Sequence, residues 1–490
     1  MLRPGSLLAA EPPKPQATAF DPQTVRAMAR SLAAAPYKDA DRSLPKELQD
    51  IDYDAYRTIR FLPGRSLWRG EGLPFEVQFF HRGFIFVDRV DIYEVADGKA
   101  RPILYSPQLF DFGKVKPIAE GTDVGFAGFR LHYPLNRRDY YDEVGVFLGA
   151  TYFRAVARGE VYGLSSRALA LHTGDSRGEE FPAFRKFWIE KPGKQANSIV
   201  VHALVDSKSA AAAYRFTIKP GSPTVYDVEM ALYPRVDLDD VGVGANTSMF
   251  LFDTNDRAGV DDFRSAVHDS DGLAVRNGRG EEIWRPLNNP RDLQTSVFSD
   301  VNPRGFGLLQ RERNFSAYQD LESHFEKRPS LWVEPIGDWG EGAVVLFEIP
   351  TKEEIHDNIV AFWRPKTVFK AKGEYIVTYR LHWGPAEVNR PPLARFVKTR
   401  EGAGPDGTRR FVLDVVGDGL KNVDPATIRA DVTNDKGEVR NVVATPNPAI
   451  DGWRVSFELA TQKETAIELR VQMFRQNDVL SEVWIYRWNP

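Results

Sequence analysis

The 490-residue sequence has no cysteine. That absence excludes disulfides, thiolate metal sites and thiol nucleophiles. Histidine is scarce, with eight residues at 81, 132, 172, 202, 268, 324, 356 and 382. None of them falls at the short spacings of a metal site, so no metal or other cofactor is expected. Neither sign of charge is in excess: 64 Lys and Arg stand against 68 Asp and Glu, for a net charge of −4. A nucleic-acid partner would need a concentrated basic surface, and a lipid-surface anchor a polybasic run. Neither is present. No apolar run approaches the roughly 18 residues of a spanning helix, so an integral membrane protein is not expected. HExxH, GxxxxGK[ST], GxSxG and a GxGxxG after a strand are also missing.

What is present reads as an all-β protein. Residues 1–19 read as a disordered leader or signal remnant. The patch Leu7-Leu8-Ala9-Ala10 is shorter than the roughly 7–15 apolar residues of an export signal. The Pro-rich piece Glu11 to Pro15 cannot build a core. One helix follows. Asp21 suits the cap, Pro22 the first turn, and Val25, Met28, Ala29 and Leu32 recur at helical spacing up to Pro36. Strand signals then dominate. Pro74 to Val95 alternates around Arg82-Gly83 and predicts a hairpin. Ser198 to Val205, Tyr214 to Ile218, Thr224 to Leu232, Ala343 to Ile349 and Glu374 to Trp383 predict further strands. The pattern predicts a large β-rich domain over 20–385 and a Pro-rich linker over 386–392. A small immunoglobulin-like sandwich over 393–490 follows, with short strands separated by turn residues.

Aromatic residues recur beside Arg, Asp and Glu in loops rich in Gly and Pro. The groups are Trp188 with Arg185 and Glu190, Trp284 with Arg285, Trp332 and Trp339 near Arg328 and Glu334, and Trp363 near Glu354 and Asp357. A carbohydrate groove needs this mixture, because sugars are apolar on their faces and polar at their edges. A tryptophan is also a common core residue, and the composition alone does not separate the two uses. Glycoside cleavage further needs two carboxyl groups, one to protonate the leaving oxygen and one to activate water. Asp269 in VHDSDGL and Asp357 in EEIHDNIVAFW stand in unusual settings. Apolar neighbours would raise the Asp357 pKa by desolvation. Taken locally, each is equally a turn residue or a backbone-capping carboxylate.

Long ordered stretches resemble a known family. They include GFAGFRLHYPLN (125–136), LGATYFRAVARGEVYGLSSRALAL (148–171), GEEFPAFRKFWIEKP (178–192), VHDSDGL (267–273) and IWRPLNNP (283–290). GFGLLQRERNFSAYQDLESHFEKRPSLWVEP (305–335) and EIPTKEEIHDNIVAFWRP (348–365) continue the series. The chain resembles the G and D type proteins of osmoregulated periplasmic glucan biosynthesis. The resemblance implies a large galactose-mutarotase-like β-sandwich followed by an immunoglobulin-like domain, in the periplasm. It implies a β-1,2-glucan partner, and the membrane glucan synthase as a further partner. Some members are inverting endo-β-1,2-glucanases, and relatives transfer glycosyl units. In the motif DNIVA(F/Y)W the general acid falls on Asp357. In HDS(D/N)GL the general base falls on Asp269, acting through water and a substrate hydroxyl. Glu354 matches a groove carboxylate and is expected to raise the Asp357 pKa. Trp188, Trp284, Arg285, Phe325, Trp332, Trp339 and Trp363 complete the expected substrate contacts. At Phe325 the sequence departs from the active glucanases, which tend to carry Tyr. A non-catalytic glucan scaffold and a transglycosylase are therefore the alternatives to hydrolysis. Aldose epimerisation follows from fold analogy alone.

Overall fold

The computed structural model describes residues 16–490 apart from 176, 177, 386 and 465. Residues 1–15 of the expected leader and Ala386 of the expected linker lie outside the described residues. Among the described residues, strands form a sixteen-stranded and a ten-stranded sheet, with a four-stranded sheet near the C-terminus. The fold is all-β and sandwich-like. The two large sheets meet through aromatic side chains. Phe129 and Phe147 of the ten-stranded sheet touch Phe187 and Phe216 of the other, with ring centroids 4.9 and 5.3 Å apart.

Period-two patterning explains the layers. In Thr224–Pro234, Tyr226, Val228, Met230 and Leu232 face the core between the sheets. Ala231 and Tyr233 face the other way, toward the helix Pro22–Ala34. The Asp21 carboxylate accepts the Thr24 N–H at 2.9 Å, and Pro22 sits in the first turn, as the cap pattern predicts. Val25 and Ala29 pack on Ala211, Ala213 and Ala231, whose small side chains let the helix approach the sheet. Met28 is left exposed at the margin.

The hairpin predicted over Pro74 to Val95 does not form. Glu76–His81 pairs with Phe126–Tyr133 in the ten-stranded sheet, whereas Asp91–Ala96 joins the sixteen-stranded one. The chain crosses between the layers because Arg82 is buried at the corner. Its guanidinium donates to the carbonyls of Asp41, Val87 and Val124.

After Tyr375–Gly384 the next strand is Arg395–Ala403. It pairs with Arg409–Val416, and Gly452–Ala460 and Glu438–Asn447 complete the four-stranded sheet. The layer opposite is the end of the sixteen-stranded sheet. Glu282–Pro286 pairs in parallel with Val483–Trp488, and Ile467–Arg475 and Ile428–Asn434 follow. The C-terminal sandwich is therefore hydrogen-bonded to the large one and shares its apolar seam. Trp284 and Trp332 pack in one cluster with Phe411, Phe457 and Trp484. The Arg311 guanidinium lies 3.6 Å over the Trp284 ring. It also binds Glu482 at 2.6 Å and Glu387 at 2.9 Å. Gly272 is required here, because a Cβ would come within 2.2 Å of the Trp284 ring.

Candidate active site

The outer face of the ten-stranded sheet carries the site. Cross-strand register places Arg130, Val146 and Arg154 side by side, and likewise Ser165, Thr247 and Val360. Arg154 Nε donates to Ser165 Oγ at 2.6 Å and joins the two rows. The alternate residues Phe129, Phe147 and Phe153 point into the core. A cleft of about 440 Å³ opens beside this face, lined by Ile85, Phe86, Leu148, Tyr152, Arg154 and Asp357.

Asp357 ends the loop between Glu341–Glu348 and Ile359–Pro365. Its neighbour Asn358 fixes that loop. The buried amide donates to the carbonyls of Phe250 and Ile349 at 2.9 and 3.0 Å and accepts the Phe250 N–H at 2.8 Å. The Asp357 side chain is 31% exposed and Arg154 Nη2 lies 3.9 Å from its Oδ2. It is flanked by protein but open through the mouth of the cleft. Burial raises its carboxyl above the ordinary value, against the opposing charges of Arg154, Arg328 and Arg167.

Asp269 is buried beside it. Its N–H donates to Met249 O at 2.8 Å, and its carboxylate is bound by the Arg328 guanidinium. Burial raises this carboxyl too. Arg328 opposes the rise, and the charge of Asp357 adds to it. The two carboxyls thus lie within electrostatic reach of each other, and Arg328 acts on both. Asp357 lines the open cleft, and Asp269 is buried. Among the described residues no group of three or more His, Asp and Glu could hold a metal ion.

A family model described as periplasmic glucan biosynthesis protein, MdoG, matches residues 20–488. The chain belongs to this family. A glucans biosynthesis protein G of Rhodopseudomonas palustris is 62% identical over 471 residues, covering 96% of this chain and 94% of the relative. Relatives of the same name from Bradyrhizobium diazoefficiens and Vibrio cholerae are 60% and 50% identical. They cover 97% and 96% of this chain and 94% and 87% of themselves. The chain therefore has a role in glucan biosynthesis, in a family that is periplasmic. Among the described residues no helix is long and apolar enough to cross a membrane.

Within this family fold, most of the expected sugar platforms lie elsewhere. Trp188 is packed under the helix, stacked on Phe20 and Tyr93 with centroids 5.7 and 5.4 Å apart. Trp284 and Trp332 belong to the seam with the C-terminal sandwich. Arg285 is buried there and bound to Glu348 at 3.1 Å. Trp363 points into the inter-sheet core, because its strand alternates and Phe362 takes the outer face. Trp339 packs on Trp363 and Tyr379 and donates to Thr378 O at 3.2 Å. Trp188, Trp284, Trp332 and Trp363 are buried, so the expectation that these rings hold sugar is corrected, while Trp339 is half-buried.

Phe325 is buried behind the site, with the Arg328 guanidinium 4.3 Å over its ring. It supports the partner of Asp269 rather than facing the cleft. Glu354 is not a free groove carboxylate. Arg264 binds it at 2.8 Å and also holds Asp262 and Asp320, each at 2.9 Å. One guanidinium thus ties its own loop to those of Asp320 and Glu354. The raised Asp357 carboxyl owes its shift to burial, not to Glu354.

Sequence reasoning passes over Tyr152, Arg154 and Phe86. Only the strand period of YFRA could have placed Tyr152 and Arg154 on one face, and it does not say which face is open. Nothing local distinguishes Phe86.

Proposed function

We propose that the protein cleaves β-1,2-glucan within the chain by inverting hydrolysis, with Asp357 as general acid and Asp269 as general base. The observation that carries this reading is the Asp357 carboxyl on the wall of a sugar-sized cleft, electrostatically coupled to a second carboxyl. Burial favours the protonated form that an acid needs when substrate arrives. Asp357 passes its proton to the glycosidic oxygen as the bond to the anomeric carbon breaks. Water attacks that carbon from the opposite face. Its proton leaves through a substrate hydroxyl to Asp269, which Arg328 holds in place. Phe86 and Tyr152 offer flat faces to the sugar, and Arg154 offers donors to its hydroxyls. In this reading the polymer comes from the membrane glucan synthase.

One observation favours a second reading, a scaffold that binds and guides glucan without cleaving it. Phe325 under Arg328 has no hydroxyl to carry a proton, and Oδ1 of Asp269 is bound by Arg328. Incubation with linear β-1,2-glucan, followed by NMR of product size and anomeric form, separates the two. Shorter chains with inverted anomers, lost in Asp357→Asn, support the hydrolase. New linkages would indicate transfer. Intact, bound polymer would sink the catalytic reading.

A further inference from the structure

A lysine of the C-terminal sandwich reaches the corner next to the Asp269 segment. Lys398 stands on Arg395–Ala403, and its buried ammonium meets both carboxylate oxygens of Asp253, at 2.8 and 3.1 Å. Glu312 Oε2 lies 3.7 Å from the same nitrogen. Asp253 directly follows Phe250–Phe252, which pairs with Val267–His268, the two residues before Asp269. Asp253 Oδ2 is 3.7 Å from His268 Nε2. His268 Nδ1 meets Gln310 Oε1 at 2.8 Å, and the Gln310 amide donates to the carbonyls of His268 and Phe325. On the other side of Asp269, the Asp271 carboxylate accepts the N–H groups of Arg311 and Glu312. The corner is stitched down as well. Thr254 Oγ1 donates to Thr399 O at 2.6 Å, and the Glu401 N–H donates to Thr254 O at 3.1 Å.

We propose that Lys398 is a positioning residue for Asp269: through the Lys398–Asp253 pair and the His268–Gln310 contact, the C-terminal sandwich sets the place of that carboxylate. The inference rests on Asp269 being the general base. A buried ion pair adds little net stability over an apolar pair, so folding alone does not account for placing one here. What it does provide is direction. The pair fixes the rotation of Asp253, whose Oδ2 borders His268 Nε2 at 3.7 Å while Gln310 holds the other ring nitrogen. The segment that carries Asp269 is thereby gripped on both flanks by groups anchored in another sandwich.

The test compares full-length Lys398→Met, Lys398→Arg and the double variant Asp253→Asn/Lys398→Met. It measures kcat and KM on linear β-1,2-glucan, thermal stability and amide hydrogen exchange. In Lys398→Met, kcat falls about 10- to 100-fold while KM changes less than about threefold, as misplacement of a reacting group predicts. Amides of 266–272 and 310–312 exchange faster, and those of Gly452–Ala460 keep their protection. Lys398→Arg restores most of kcat. The double variant removes both charges of the Lys398–Asp253 pair, so it recovers most of the stability but not kcat. Recovery of kcat together with stability would reduce Lys398 to a structural role and overturn the proposal. So would a Lys398→Met enzyme within about twofold of wild type with unchanged exchange. If the wild type itself leaves glucan intact, the hydrolase reading fails on its own. The exchange data still decide the coupling: loosening confined to 266–272 and 310–312 supports it, and unchanged exchange overturns it.

Discussion

Two regions of this molecule use the same residue types for opposite ends. In the seam between the sandwiches, Arg311 lies over Trp284 and is bound by Glu482 and Glu387. In the cleft, Arg154 stands beside Tyr152 and 3.9 Å from Asp357. The seam is closed: the Arg311 guanidinium is enclosed by aromatic and carboxylate partners. The cleft is open, with no direct hydrogen bond between Arg154 and Asp357. The carboxyls respond in opposite directions. Burial pushes Glu482 up, but Arg311 and Arg390 outweigh it and hold it below the ordinary value. At Asp357 burial prevails and the carboxyl is raised. An Arg–aromatic–carboxylate cluster is therefore glue when its partners saturate one another, and a candidate site when the geometry leaves donors free.

The largest effect should come from breaking the seam. Arg311→Met leaves Glu482 and Glu387 buried with Arg390 as their remaining cation, and should cost about 3 kcal/mol in denaturant unfolding. A loss under about 1 kcal/mol would mean that the seam does not hold the sandwiches as described.

Asp357→Asn tests the cleft in the opposite sense. Glucan cleavage should fall at least 10²-fold, about 2.7 kcal/mol, as loss of a general acid does. Stability should not fall. Because the folded-state carboxyl is raised, ionising it weakens the fold as pH climbs above the ordinary value of about 3.9. The Asn variant escapes this, so melting at pH 7 should match or exceed wild type, with the advantage gone below about pH 4. A clear loss of stability at pH 7 would place Asp357 with the seam carboxylates.

Glu160 sharpens the contrast from behind the cleft. Burial pushes its carboxyl up to about 7, although Arg313 lies 3.5 Å away. One of its oxygens is buried without a partner. Stability is lost as pH rises from the ordinary value of about 4.3 toward 7. Glu160→Gln should therefore be more stable by up to about 3–4 kcal/mol at pH 8 and equal to wild type near pH 4. Melting curves at the two pH values show whether the gain follows that window.

Tyr152→Ala should have the smallest effect. Removing one half-open face should weaken glucan binding by about 1 kcal/mol, read by calorimetry, with little change in melting. A large drop in melting temperature would show that Tyr152, like Trp284, is a packing residue.

The legible part of this protein was what is periodic or local. Alternation announced the strands of both sandwiches, and Asp21-Pro22 announced the helix. The stretches that carry Asp269 and Asp357 stood out through their likeness to a family. The hairpin over Pro74 to Val95 misled because alternation reports a strand, not its partner. The burial of Arg82, which sends the chain from one layer to the other, is a tertiary event. The tryptophans misled for a related reason. Trp363 and Phe362 are adjacent and both buried, and only the stacking of the two large sheets decides which of them enters the core between the sheets.

By itself, then, the sequence determined the all-β class, the strand-rich C-terminal region, the exclusion of thiol chemistry and the positions of two candidate carboxyls. The first three follow from composition and period along one chain, and the two carboxyls from likeness to a family. The tertiary structure alone decided that Arg154 faces the cleft, that Glu354 is neutralised by Arg264, and that Lys398 from the other sandwich reaches Asp253. Each depends on segments far apart in sequence meeting in a low-dielectric space. There burial and charge pairing are set by the surroundings rather than by residue type.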